Sequence, residues 1–264
     1  MSNTSKHNTR LAIVGFGKFG QLLHHLFSQI PWLELVVVSG QKLKQPIHQI
    51  SYSELGAVDI IIPCVPIRAF RPVVKQIMPH CKPGVTILDV CSVKVFPTQI
   101  LLDHAALDTY LVTCHPMFGS TTIAEQGSAE GLPVTIWNVR SSKHAYSQVK
   151  RIWQELAVRL VEISPEEHDQ QAARSQAYAQ LIGKLGARMQ LNASPLDTVW
   201  FTRLLEIQST VEQNTQELFM DTQVFNPYAK QMRAELQTKL VQLETDIQAF
   251  ATTQVSSTIQ KEIL

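Results

Sequence analysis

With 264 residues, 45% of them hydrophobic and 17% charged, and a net charge of +1, the chain has the length and apolar content for two modest domains. It has no basic excess to hold nucleic acid or an anionic membrane surface, so its expected partners are small neutral or anionic molecules. The polar opening Met1–Arg10 lacks a signal core and no apolar run approaches the roughly 20 residues of a membrane span, so the expected compartment is the cytoplasm.

Through residue 164, short β-rich runs alternate with amphipathic stretches. Strands are predicted at Leu11–Val14, Leu35–Ser39, Asp59–Cys64, Thr86–Val90, Tyr110–Cys114, Val134–Val139 and Leu160–Ile163. Helices are predicted at Gln21–Ile30, Phe70–Met78, Pro97–Ala106 and His144–Ala157, while Gln41–Val58 is too polar for an assignment. Apolar strands alternating with helices imply an α/β, doubly wound, mainly parallel sheet of the Rossmann type, covered on both faces. Cys64, Cys81, Cys91 and Cys114 show neither C-x-x-C spacing nor a neighbouring His cluster, which predicts reduced, mostly buried thiols and no metal site.

The first predicted strand runs directly into Gly15-Phe16-Gly17-Lys18-Phe19-Gly20 and a helix, the placement a dinucleotide turn requires. Gly15 would make the tight turn, Gly17 would let the backbone approach a pyrophosphate, and Gly20 would allow close helix-to-strand packing, with Lys18 and Phe19 lining the same turn. At the end of the second strand, where an acid would bind the ribose of NAD, stands Val38-Ser39-Gly40-Gln41-Lys42. Ser39 can donate to a 2′-phosphate and Lys42 or Lys44 can neutralise it, so NADP is expected, with NAD as the alternative. Read blandly, the two lysines are solvated loop charges.

Ligands of open α/β sheets bind where strands end, which directs attention to Cys64-Val65-Pro66-Ile67, Asp89–Lys94 and Cys114–Ser120. Cys64, Val65, Pro66 and Lys94 are expected to face the cofactor. Ser92 and His115, each just past a strand, would form a polar pair able to take a proton from a substrate hydroxyl. Met117 and Gly119 would touch the same substrate. Standing alone, His115 is as readily a capping histidine and Ser92 a helix cap.

After Ser164 strand signals cease. Ser164-Pro165-Glu166-Glu167 is a capping box with proline at the first helical position, predicting a helix to about Leu191. Helical spacing resumes from Thr198 to Glu217 and again from Pro227, where Met232, Leu236, Leu240 and Leu243 form one stripe. The predicted organisation is a dinucleotide-binding domain over 1–164 and an all-helical substrate and dimerisation domain over 165–264.

Gly-Phe-Gly-Lys-Phe-Gly, Cys-Ser-Val-Lys, His-Pro-Met-Phe-Gly and Glu-Glu-His-Asp (Glu166–Asp169), in this order and spacing, resemble the prephenate/arogenate dehydrogenase family, especially its plant arogenate branch. The resemblance implies oxidative decarboxylation of arogenate or prephenate with hydride passing to a nicotinamide. It implies His115 as the group that draws off the hydroxyl proton, Ser92 as the group that fixes the same oxygen, and a homodimer formed through the helical domain. The chain departs from the family where Ser175-Gln176-Ala177-Tyr178-Ala179-Gln180 replaces a Ser-x-x-x-His run, putting Gln180 in the histidine's place. Four apart, Gln176 and Gln180 would share a helical face and contact substrate, unless that face is plain solvated surface. The family's carboxylate-gripping arginine is also missing, leaving Arg203, Lys230 and Arg233 as candidates, with Lys94 nearer the cofactor. A dehydrogenase for another hydroxy acid and a non-catalytic nucleotide-binding regulator are the other two readings.

Overall fold

The structure, a computed structural model, describes residues 8–44 and 46–262, with side chains through residue 253. The polar stretch before Asn8 lies outside the described residues. Seven strands form one sheet: β1 (Thr9–Val14), β2 (Leu33–Val38), β3 (Ile60–Pro63), β4 (Thr86–Asp89), β5 (Tyr110–Pro116), β6 (Pro133–Arg140) and β7 (Arg159–Glu162). Each coincides with a predicted run. Their order is β2-β1-β3-β4-β5-β6-β7, so the chain leaves β1 for one side, returns, and continues on the other. That reversal opens a crevice at the carboxyl ends of β1 and β3. Only β6 runs against its neighbour β5; every other pairing is parallel.

The inner strands are mostly apolar and buried because helices cover both faces, with Thr86, Asp89, Thr113 and His115 as buried polar positions. On one face α1 (Lys18–Phe27) and α5 (Lys143–Gln154) bury Leu23, Phe27, Ile152 and Trp153 against Leu11 and Ile13 of β1. On the other, α2 (Ile67–Ile77) and α3 (Val95–His104) bury Phe70, Val74, Ile100 and Leu101 against Ala12, Ile61 and Ile87. The polar segment after β2 holds a short 3-10 turn over Tyr52–Ala57, closed by a Ser51/Glu54 capping box. A short helix unforeseen in the sequence, α4 (Ser120–Gln126), lies between Gly119 and a left-handed Gly127.

Two compact units result: Met1–Ala172 with Asn214–Pro227, and Ala173–Gln213 with Tyr228–Leu264. The boundary therefore falls beyond residue 164, and a later segment rejoins the first unit. α6 (Pro165–Ala172) starts at the expected capping box, Glu167 N–H donating to Ser164 Oγ. It stays with the sheet because His168 and Asp169 are buried there, and Asn226 of the returning segment donates to the Asp169 carbonyl at 2.9 Å. α9 (Gln216–Phe225) belongs to this unit too, through Asp221 to Arg68 and Phe225 against Phe96.

The second unit is helical throughout. The single helix expected to Leu191 is interrupted by a π turn at Ala173–Ala177 and resumes as α7 (Tyr178–Arg188). α7 crosses α8 (Val199–Gln213) at small residues: a Cβ on Gly183 would stand 2.9 Å from Val211. The helix expected through Glu217 ends at Gln213, and Thr215 caps α9 by accepting from Leu218 N–H. α10 (Ala229–Glu262) buries Met232 but leaves Leu240, Leu243 and Phe250 exposed.

Candidate active site

The glycine turn has the form its sequence predicts. Gly15 has φ +98°, and a Cβ there would lie 2.5 Å from the Cys64 carbonyl oxygen, so β1 and the loop after β3 approach closer than any side chain allows. A Cβ on Gly20 would collide with the Gly15 carbonyl. At Gly17 a Cβ would meet nothing within 4 Å, and α1 starts there with no side-chain cap and no acid in its first turn. The first N–H groups of α1 therefore face open space, which fits a pyrophosphate. Lys18 is exposed at this end and Phe19 is half-buried against the core.

The loop after β2 is shaped by one amide that sequence reading overlooked. Gln49 Nε2 donates to the Ser39 and Gln41 carbonyls at 3.0 and 2.9 Å, and its Oε1 accepts from Leu43 N–H at 3.0 Å. Ser39 Oγ accepts from Gln41 N–H, keeping its own proton available, while Lys42 and Lys44 are exposed. Cys64, Val65 and Pro66 follow β3; Pro66 is exposed and caps α2.

Lys94, expected to face the cofactor, has its ammonium engaged inside the protein. It is 2% exposed, and its ammonium donates to the Asp89 carboxylate and the Cys114 carbonyl. Asp89 also accepts from Thr113 Oγ1 at 2.6 Å and from Cys91 N–H at 2.8 Å. Burying an ammonium and a carboxylate is tolerable only when each is paired and hydrogen-bonded. Lys94 is thus an internal brace joining the ends of β4 and β5, its ammonium already engaged.

That brace sets the backbone immediately before His115. The His115 ring is buried and its Nδ1 lies 2.9 Å from His168 Nε2; His168 Nδ1 lies 2.8 Å from Asp169 Oδ1. Burial, followed by the neighbouring His168 and Lys94, holds His115 well below the ordinary histidine value, so its ring is neutral near pH 7. Ser92 stands just past β4, whose last residue Asp89 pairs with Thr113 on β5, two positions before His115. Its Oγ is buried and has no hydrogen-bond partner among the described residues. Met117 N–H is spent on the Pro133 carbonyl, and Gly119 precedes α4 with open space around its Cα.

The remaining candidates lie in the second unit. Gln176 falls in the π turn and Gln180 in α7, so regular four-residue spacing is broken between them. Neither is plain solvated surface: both Oε1 atoms are buried and lack a hydrogen-bond partner among the described residues. Arg203 is exposed with its guanidinium 5.6 Å from the Trp200 ring centroid, Lys230 is exposed, and Arg233 is half-buried. A cation that the sequence reading missed, Arg68 at the start of α2, is already engaged by Asp221 at 3.0 Å. All four cysteines are free; burial pushes Cys64 up to about 12 and Cys91 and Cys114 up as well, which makes these packing thiols unreactive.

A family model described as prephenate dehydrogenase, nucleotide-binding domain, matches residues 42–162, which include Cys64–Pro66, Ser92 and His115. A second, described as TYRAAT1-like, C-terminal domain, matches residues 185–258. Arogenate dehydrogenase 2, chloroplastic, of Arabidopsis thaliana is 26% identical over 236 residues. Over residues 42–162, and more loosely along most of its length, the chain is similar to prephenate and arogenate dehydrogenases. The match covers 83% of the chain and 64% of the Arabidopsis protein, so the chain spans less than two thirds of that relative's length. Among solved structures, prephenate dehydrogenase from Aquifex aeolicus, in complex with hydroxyphenyl propionate and NAD+, superposes with a TM-score of 0.72 at 16% identity, covering 96% of this chain and 95% of that one. Synechocystis arogenate dehydrogenase gives 0.68 at 19% identity, covering 96% and 97%. At these identities the likeness shows the fold alone, a Rossmann-type sheet followed by helices. Among the described residues no helix is long and apolar enough to cross a membrane.

Proposed function

We propose that the chain catalyses NADP-linked oxidative decarboxylation of arogenate or prephenate, a step of tyrosine biosynthesis. The observation that carries this reading is a neutral, buried His115 at the end of β5 beside a β4 end whose Ser92 hydroxyl is buried and unpartnered. Such a pair suits a substrate hydroxyl: Ser92 Oγ holds the oxygen and His115 takes its proton. A bound nicotinamide supplies the acceptor for the hydride that leaves the carbon bearing that hydroxyl. As the carbon–carboxylate bond breaks and CO2 departs, its electron pair completes the aromatic ring, and His115 returns the proton to the phenolic oxygen. Aromatisation drives the step, so the residues chiefly position and keep water away.

Gly17 and the first N–H groups of α1 would hold the pyrophosphate, and Ser39 with Lys42 or Lys44 a 2′-phosphate. Ser39→Asp should then lower the ratio of kcat/KM for NADP to that for NAD by about 10- to 100-fold, since a carboxylate repels a phosphate. An unchanged ratio would remove Ser39 from cofactor choice. The exposed Leu240, Leu243 and Phe250 on α10 support a homodimer formed through the helical unit. Sedimentation equilibrium is expected to give twice the chain mass, and a monomer at micromolar concentration would dismiss the dimer. The ordinary soluble composition and four free cysteines support the cytosol as its compartment.

A second reading is favoured by Gln180, which stands where the family has histidine: the same proton and hydride chemistry on another hydroxy acid. Incubation with NADP and either arogenate or prephenate, following reduced nicotinamide and CO2 together, separates the two. Equimolar formation of both products supports the first reading; tight nucleotide binding without turnover of either substrate rejects it.

A further inference from the structure

We propose that Asp169, acting through His168, is a positioning residue that fixes His115 with its proton on Nδ1 and its Nε2 lone pair bare. The catalytic consequence rests on the function proposed above; the tautomer itself does not.

The ordering starts at the N-terminus of α3. Asp169 Oδ1 accepts from Lys94 N–H at 2.8 Å and Oδ2 from Val95 N–H at 2.9 Å, so the carboxyl of α6 caps a helix distant in sequence. Asn226 holds the Asp169 carbonyl from a third element. Each carboxyl oxygen thus faces an N–H donor, and the role left to Asp169 is that of acceptor.

The rest follows from counting protons. His168 Nδ1, 2.8 Å from Asp169 Oδ1, must be the donor in that contact. With His168 uncharged, its one N–H sits on Nδ1 and its Nε2 is a lone pair. It lies 2.9 Å from His115 Nδ1, which therefore donates. His115 Nε2 is left bare for a ligand. One acceptor, separated from any substrate proton by two side chains, selects the tautomer in which His115 can act as a base.

The same chain answers an electrostatic difficulty. Once His115 takes a proton it becomes a cation in a buried place, near the Lys94 ammonium, which itself is paired with Asp89. Through His168 the new charge is hydrogen-bonded toward the Asp169 carboxylate, which offsets it without being protonated, as the aspartate of a serine-protease triad does. The residues that build this chain are 53 apart in sequence across the His115–His168 contact, and the Glu-Glu-His-Asp run gives no sign of it.

The test is made on the full-length chain without ligand, labelled with 15N histidine. His115 is identified by the signals lost in His115→Asn. At neutral pH the wild-type protein should show His115 Nδ1 with the shift of a protonated nitrogen and Nε2 with that of an unprotonated one. His168→Phe, which keeps a ring but removes the acceptor, should move His115 to the Nε2–H tautomer. If turnover is present, the same variant should lose about 10- to 100-fold in kcat with little change in KM, the size typical of a residue that orients another. A wild-type His115 protonated on Nε2, or a tautomer unmoved in folded His168→Phe, overturns the proposal. Should the chain turn over neither arogenate nor prephenate while His115 still carries its proton on Nδ1, the function fails and the positioning role stands.

Discussion

His115→Asn is expected to bind NADP with wild-type affinity and to lose about two to four orders of magnitude in kcat, the usual worth of a positioned general base. The asparagine keeps a polar group at the end of β5 but cannot accept and return a proton. The glycine turn is built by β1 and α1 rather than β5, so the loss should fall chiefly on kcat. The wild-type pH profile carries the same signature. His115 is held below the ordinary value of 6.5 by burial, by His168 and by Lys94, so the base is free above that pH and activity falls only as pH drops well under it. The stability profile has the same sign: a ring with a depressed folded-state value gains a proton on unfolding in acid, so stability is lost as pH falls below 6.5. Unaltered kcat in His115→Asn would remove the imidazole from the mechanism.

Lys94→Met is expected to destabilise the protein by about 3–5 kcal/mol, the range seen when one partner of a buried ion pair is removed. The side chains of Lys94 and Asp89 are 3% and 0% exposed, so the remaining carboxylate has no water to turn to. Thr113 and Cys91 still donate to it, yet the Cys114 carbonyl loses its ammonium partner, and the backbone that presents His115 loses its brace. Denaturant titration monitored by tryptophan fluorescence gives the size. The double variant Lys94→Met, Asp89→Leu should recover part of the loss, because no unpaired charge is left behind. A cost under about 1 kcal/mol for Lys94→Met would mean that the pair is not buried in solution.

How far the sequence discloses these features depends on the range of the interaction concerned. The strands were legible because β1, β3, β4 and β5 are largely buried on both faces and read as predominantly apolar, β-rich runs. The glycine turn was legible because its requirements are local: Gly15 needs a positive φ and Gly20 needs a bare Cα. Lys94 misled because a lysine beside a strand end reads as a surface cation until the fold brings Asp89 and the Cys114 carbonyl around it. The π turn at Ala173–Ala177 has no proline or glycine to mark it, and it moved both the domain boundary and the relation of Gln176 to Gln180. The break at Asn214–Thr215 did carry a signal, a threonine cap with Glu217 in the first turn, overlooked because the apolar spacing continued through it. Gln49 and the pair His168–Asp169 were invisible for the reason Lys94 was: their partners lie far along the chain or are backbone atoms.

The proposed chemistry requires Ser92 and His115 to meet the same substrate oxygen above a bound nicotinamide. A crystal structure of the chain with NADP+ and the phenolic product tests this most directly. The expected result is the phenol oxygen within about 2.6–3.2 Å of both Ser92 Oγ and His115 Nε2. A phenol ring seated elsewhere, or an oxygen reached by neither side chain, would contradict it.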